Sequence, residues 1–143
     1  MEQGLLHLHN FLRWIILIFL VIALLQAFTK SEGLKKTSLW LLIASHLTLV
    51  IGLYQYFTRG FGYKLIAEYG FGNVMKDGAM RFWAVEHITG MLVAIILITM
   101  ARGKAKRGGY PALLYVIALI LILAVAPWPF RELGIGRPWF PGM

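Results

Sequence analysis

Apolar residues in this chain run in long, nearly unbroken stretches, about Leu8 to Phe28, Thr37 to Phe57, Met80 to Ala101 and Pro111 to Trp128. Each approaches the roughly 20 residues with which an α-helix crosses a ~30 Å hydrocarbon core. The pattern predicts an all-α protein, an integral membrane four-helix antiparallel bundle, with residues 1–143 forming a single domain. The first stretch follows Glu2 rather than a basic segment, and no small-residue cleavage site comes after it, so it is expected to be a retained helix.

Composition agrees: 59% of residues are hydrophobic, and the mean hydropathy is +0.73. The net charge of +8 could suggest nucleic acid, but much of it lies in two short loops, Lys30 to Lys36 and Arg102 to Arg107. In a four-span chain these loops share a side. The positive-inside rule puts them in the cytoplasm and both termini outside, and no nucleic-acid partner is expected. The glycine-rich middle segment, Thr58 to Ala79, carries a short stretch, Tyr63 to Tyr69, that suits an interfacial helix in an outer lid. Residues 129–143 hold prolines and aromatics that suit a tail folded over the outer mouth or a plain interfacial anchor. There is no cysteine, so thiolate-held iron–sulfur clusters, disulfides and covalently attached haem are excluded, leaving histidine as the metal ligand.

Candidate chemistry follows from the ionisable groups inside the apolar stretches. His46 and His87 lie within the second and third, and His7 and His9 lie where the first begins. An imidazole in hydrocarbon must be hydrogen-bonded or coordinated, and two on neighbouring helices can hold a haem iron from both faces. His46 shares a helical stripe with Leu42, Leu49, Val50 and Leu53, and His87 shares one with Trp83, Gly90, Met91 and Ala94. Small residues beside His87 would admit a flat macrocycle or, equally, close helix packing. Counting from the cytoplasmic charges, His46 and His87 differ in depth by roughly 7 Å, and His9 lies about 9 Å beyond His87. Both His46–His87 and His9–His87 pairings are therefore open, as is a hydrogen-bonded core role for each ring. One haem b is expected, and a second would use all four histidines.

Arg13 and Glu86 are the clear charges within the stretches. Each is expected to face the interior, paired with the other, with Asn10 or with an anionic group. With haem present, Arg13 would meet a propionate and Glu86 would orient a histidine or relay a proton, the alternative being a structural ion pair between the first and third helices. Arg59, Arg81 and Trp83 stand at the outer boundary, where a propionate or quinone headgroup, or simply the interface, could engage them. A transporter reading built on His7, His9 and Glu86 lacks the inverted repeat and broken helices that such proteins use. Hydrolytic motifs are absent.

The segments LLHLHNFLRW (Leu5 to Trp14), SHLTLVIGLYQYF (Ser45 to Phe57), RFWAVEHITGM (Arg81 to Met91) and PWPFRELGIGRPWF (Pro127 to Phe140) resemble a family of small four-helix bacterial membrane proteins labelled cytochrome b-like. Glu86-His87-Ile88-Thr89-Gly90 is also similar to a haem-binding helix of haem A synthase. That family separates its glutamate and histidine and places ligands on the second and fourth helices of a bundle, whereas the fourth stretch here has no histidine. The resemblance implies a b-type cytochrome of the bacterial inner membrane, an electron carrier rather than a stand-alone enzyme. Its expected partners are the lipid bilayer, a quinone or redox protein, and further copies or subunits of a larger complex. The competing expectation is a cofactor-free structural or assembly subunit of a respiratory complex.

Overall fold

The computed structural model describes residues 2–60 and 62–128, so the proline-rich tail from residue 129 lies outside the described residues. All regular structure among them is helical: α1 (Glu2–Thr29), α2 (Leu34–Thr58), α3 (Tyr63–Tyr69), α4 (Phe71–Lys76), α5 (Gly78–Arg81), a π-turn (Phe82–Glu86), α6 (His87–Lys106) and α7 (Ala112–Val125). From Leu5 to Thr29 there is neither glycine nor proline, so α1 runs longer than its apolar stretch suggests. α7 is shorter than expected. It stops at Val125 because Pro127 has no N–H to continue the ladder.

α1 and α6 end in the same way. Lys30 (φ 55°) and Gly108 (φ 78°) turn left-handed. Ser31 N then donates to Gln26 O at 2.9 Å, and Gly109 N to Lys104 O at 2.7 Å, which satisfies carbonyls that the helix can no longer reach. The connections that follow are short, so α1 and α2 run antiparallel, as do α6 and α7. Arg102 Nη1 bonds Lys35 O at 2.7 Å and Ser38 Oγ at 3.1 Å, tying the start of α2 to the end of α6. Both basic turns therefore lie at one end of the molecule. The starts of α1 and α6, the ends of α2 and α7, and the short helices α3 to α5 occupy the other.

α1 packs on α2, α2 on α6, α6 on α7 and α7 back on α1, so α1 and α6 stand diagonally opposed. The core holds fully buried Leu20, Leu41, Ile98 and Tyr115 together with Ala23, Ala94, Ala101 and Ala118. These alanines let the helix axes approach closely. Apolar residues also cover the outside, among them Ile18, Leu25, Trp40, Val50, Ile96 and Leu113. Helices apolar on all sides are those of a membrane or of a large core. By length and composition, Gly4–Thr29, Leu34–Tyr69 and Gly78–Lys106 can each cross a membrane, and α7 is a shorter apolar helix.

Ala94 is fully buried, whereas Leu113 is 70% exposed. Ala94→Leu should lower stability by about 1–3 kcal/mol through overpacking. Leu113→Ala should stay within about 0.5 kcal/mol, both read by thermal unfolding of the purified protein.

Candidate functional site

At the end opposite the basic turns, the core opens into a cavity of about 260 Å³. Its polar wall includes His9, Asn10, Arg13, Gln55, Trp83 and His87, and its deeper wall Leu49, Met91, Ile95 and Ile122. Polar and apolar regions thus lie in sequence along one space between the diagonal helices α1 and α6.

His87 is positioned by the backbone on both of its sides. It directly follows the π-turn, in which His87 N reaches back five residues to Phe82 O. Within that turn Ala84 O accepts a hydrogen bond from the Tyr56 hydroxyl of α2 at 2.7 Å. The π-turn also brings Arg81 beside Glu86, whose spacing of five would separate them on an α-helix. Arg81 Nε meets Glu86 Oε1 at 3.1 Å, with both side chains 41% exposed. The expected pairing of Glu86 with Arg13, or with a histidine, is therefore replaced by a local ion pair at the helix start.

On its other side, His87 Nδ1 donates to Val125 O, the last carbonyl of α7, at 2.7 Å. A carbonyl only accepts, so Nδ1 carries a proton. The rings of Phe82 and Trp83 stand 5.7 and 6.0 Å from the His87 ring, and His9 from α1 stands 6.4 Å away. His9 Nδ1 is buried without a hydrogen-bond partner, although such atoms in folded proteins usually have one. Gly52 makes room for this ring: a Cβ there would lie 3.2 Å from His9 Cε1. Gln55 Nε2 is a second buried atom of the cavity wall without a partner.

Arg13 is buried, its guanidinium carbon 5.2 Å from the Trp14 ring and 5.1 Å from the Trp128 ring, close enough for cation–π attraction. Trp128 in turn donates its indole N–H to Leu123 O at 2.9 Å. The α7 end thus holds both Arg13 and His87.

The structure brings His9 and His87 together and leaves His46 apart. His46 is exposed on α2, its Nδ1 donating to Leu42 O of its own helix at 2.9 Å, and it does not line the cavity. The inward face of α2 runs through Leu41, Ser45, Thr48 and Gly52, one position earlier than Leu42 and His46, while Leu49 and Leu53 of the His46 stripe still reach the cavity. One position is about 100° around a helix, and an apolar helix has no hydrophilic face to fix its phase. At Gly90 the space of the missing side chain is filled by Val125, whose Cγ1 would lie 2.5 Å from an added Cβ, so this glycine serves helix packing. The roles of Gly52, Tyr56 and Val125 are tertiary and have no sequence signature, whereas Gln55, an amide within an apolar run, could have been singled out.

Among the described residues, no three His, Asp or Glu side chains converge as a metal-ligand set. Comparison with protein-family models, curated proteins and solved structures finds no match for this chain. The fold and site define an all-helical protein with candidate membrane-crossing helices and a histidine-bearing cavity at one end.

Tyr56→Phe removes the hydroxyl that bonds Ala84 O, a loss of about 0.5–1.5 kcal/mol. The expected readout is faster amide exchange through Phe82–His87, with the distal half of α6 unchanged.

Proposed function

We propose that this chain is a membrane b-type cytochrome, a four-helix antiparallel bundle that holds one haem b in the cavity through His9 and His87. The observation that carries the reading is the imidazole pair presented from diagonal helices, with ring centroids 6.4 Å apart. Two imidazoles sharing one metal ion at about 2.0–2.1 Å stand with their centroids about 6 Å apart. Haem would need only two protein ligands, so no third carboxylate or imidazole is called for. The partnerless Nδ1 of His9 and the carbonyl-anchored Nδ1 of His87 suit this donor set.

When bound, haem supplies reversible one-electron iron chemistry. The protein's part is to hold and tune it. His9 and His87 would hold the iron, and Trp83 packs beside His87. Arg13, Asn10 and Arg59 line the same cavity and offer donors to carboxylates. Leu49, Met91, Ile95 and Ile122 keep water from the inner portion. The Arg81–Glu86 pair secures the π-turn from which His87 projects. Electron exchange would be with a quinone or a partner redox protein.

The membrane placement is supported by the apolar outer surface and by the gathering of both basic turns at one end. In a bacterial inner membrane that end faces the cytoplasm, and the haem lies in the outer half.

Reduced-minus-oxidised spectra of the purified protein, expressed with haem supplied, test the assignment. A sharp reduced α-band is expected in wild type and in His46→Ala, and its loss in His9→Ala and His87→Ala. A wild-type protein without a Soret band would sink the cytochrome reading in favour of a cofactor-free subunit. For topology, single cysteines can be introduced into this cysteine-free chain. Lys104→Cys should react with an impermeant maleimide only after the cytoplasmic side is opened, and Gly4→Cys in intact spheroplasts.

A further inference from the structure

Helix α7 stops where it does for a reason that reaches into the site. In an α-helix the carbonyl of residue i accepts from the N–H of residue i+4. Leu123 O would need residue 127 and Val125 O would need residue 129, and both positions are proline. Neither can supply an N–H, whatever path the chain takes. Ile122 O, whose donor would be Ala126, does receive its backbone bond, at 3.0 Å. Both carbonyls that the prolines deprive take side-chain donors: Leu123 O from the Trp128 indole at 2.9 Å and Val125 O from His87 Nδ1 at 2.7 Å.

The residue that presents the second carbonyl is itself seated by α6. Val125 packs against Gly90, three residues along from His87, so closely that an added Cβ would come 2.5 Å from Val125 Cγ1. Positions three apart share a helix face, so the glycine that receives the Val125 side chain and the histidine that bonds its carbonyl form one socket.

We infer that the Gly90 socket and the proline pair Pro127 and Pro129 are a positioning device that holds Val125 O for His87, fixing its proton on Nδ1 and presenting Nε2 to the cavity. These are positioning residues, acting on the site through His87. A backbone acceptor on the distal nitrogen sets ring orientation, selects the tautomer and raises the basicity of the ligating nitrogen, and loss of such a partner typically weakens metal binding by about 10- to 100-fold. The effect on a bound group rests on the cytochrome reading. The effect on the histidine proton does not.

The test uses full-length protein labelled with ¹⁵N-histidine and prepared without haem, with the His87 signals assigned by their loss in His87→Gln. Wild type should show a protonated Nδ1 and an unprotonated Nε2 at His87. In the double variant Pro127→Ala/Pro129→Ala, residues 127 and 129 regain N–H groups, so α7 can extend and claim both carbonyls. The His87 ring should then lose its fixed tautomer and show protonated Nε2 in part of the population. Gly90→Ala, which displaces Val125 without touching the prolines, should shift the same nitrogens and provides a second route if the double variant folds poorly. With haem added, both variants should hold it about 10- to 100-fold more weakly than wild type and show an altered reduction midpoint.

A wild-type His87 protonated on Nε2, or nitrogen signals unmoved in both variants, overturns the device. Haem that binds equally well in all three proteins while the nitrogens stay fixed also overturns it and leaves the cytochrome reading standing. A tautomer that switches as expected in a protein that takes up no haem supports the device and removes the cytochrome reading.

Discussion

A backbone carbonyl in apolar surroundings must find a donor, because no water is at hand to supply one. At several helix ends and turns of the described residues, a specific group meets a main-chain carbonyl. At the two basic turns these are the chain's own N–H groups, at Ser31 and Gly109. At the opposite end, side chains bond main-chain carbonyls: Tyr56 bonds Ala84 O, Trp128 bonds Leu123 O and His87 bonds Val125 O. The irregular backbone and the chemically distinctive side chains therefore coincide, and the cavity lies among them.

The two ends of the molecule divide the work. Toward the basic turns, alanines on all four long helices allow tight packing, and Arg102 bridges α2 and α6. Toward the other end, bulkier and polar residues hold the helices about a cavity, with aromatic rings enclosing His87 and flanking Arg13. A rigid close-packed half can support an open half whose ring positions stay defined.

Much of the architecture was legible from sequence. Long apolar stretches without proline or glycine become long helices because no alternative satisfies their backbone as completely, and α1 illustrates this. The short helix Tyr63–Tyr69 and the helix-ending effect of Pro127 likewise follow from local chemistry. The site was legible only in part. His9, His87, Arg13 and Trp83 stood out as polar or aromatic groups within apolar runs or at their edges, and all four line the cavity. His46 stood out equally and points outward, because helix phase in an all-apolar stretch is set by neighbouring helices. Glu86 found its partner five residues away through a π-turn that leaves no mark in the sequence.

The sequence by itself determined the helical class, the positions of the long helices, the clustering of basic charge in two turns and the absence of thiolate chemistry. These depend on local properties: unbroken apolarity, the missing N–H of proline and the residue types present. Only the tertiary structure decided which histidines meet, how the π-turn directs His87, that Val125 fills the space at Gly90, and that Arg13 lies between two tryptophans. Each of these depends on how one helix is rotated against another. That rotation is a property of packed pairs, fixed by side chains from both, and no single stretch of sequence contains it.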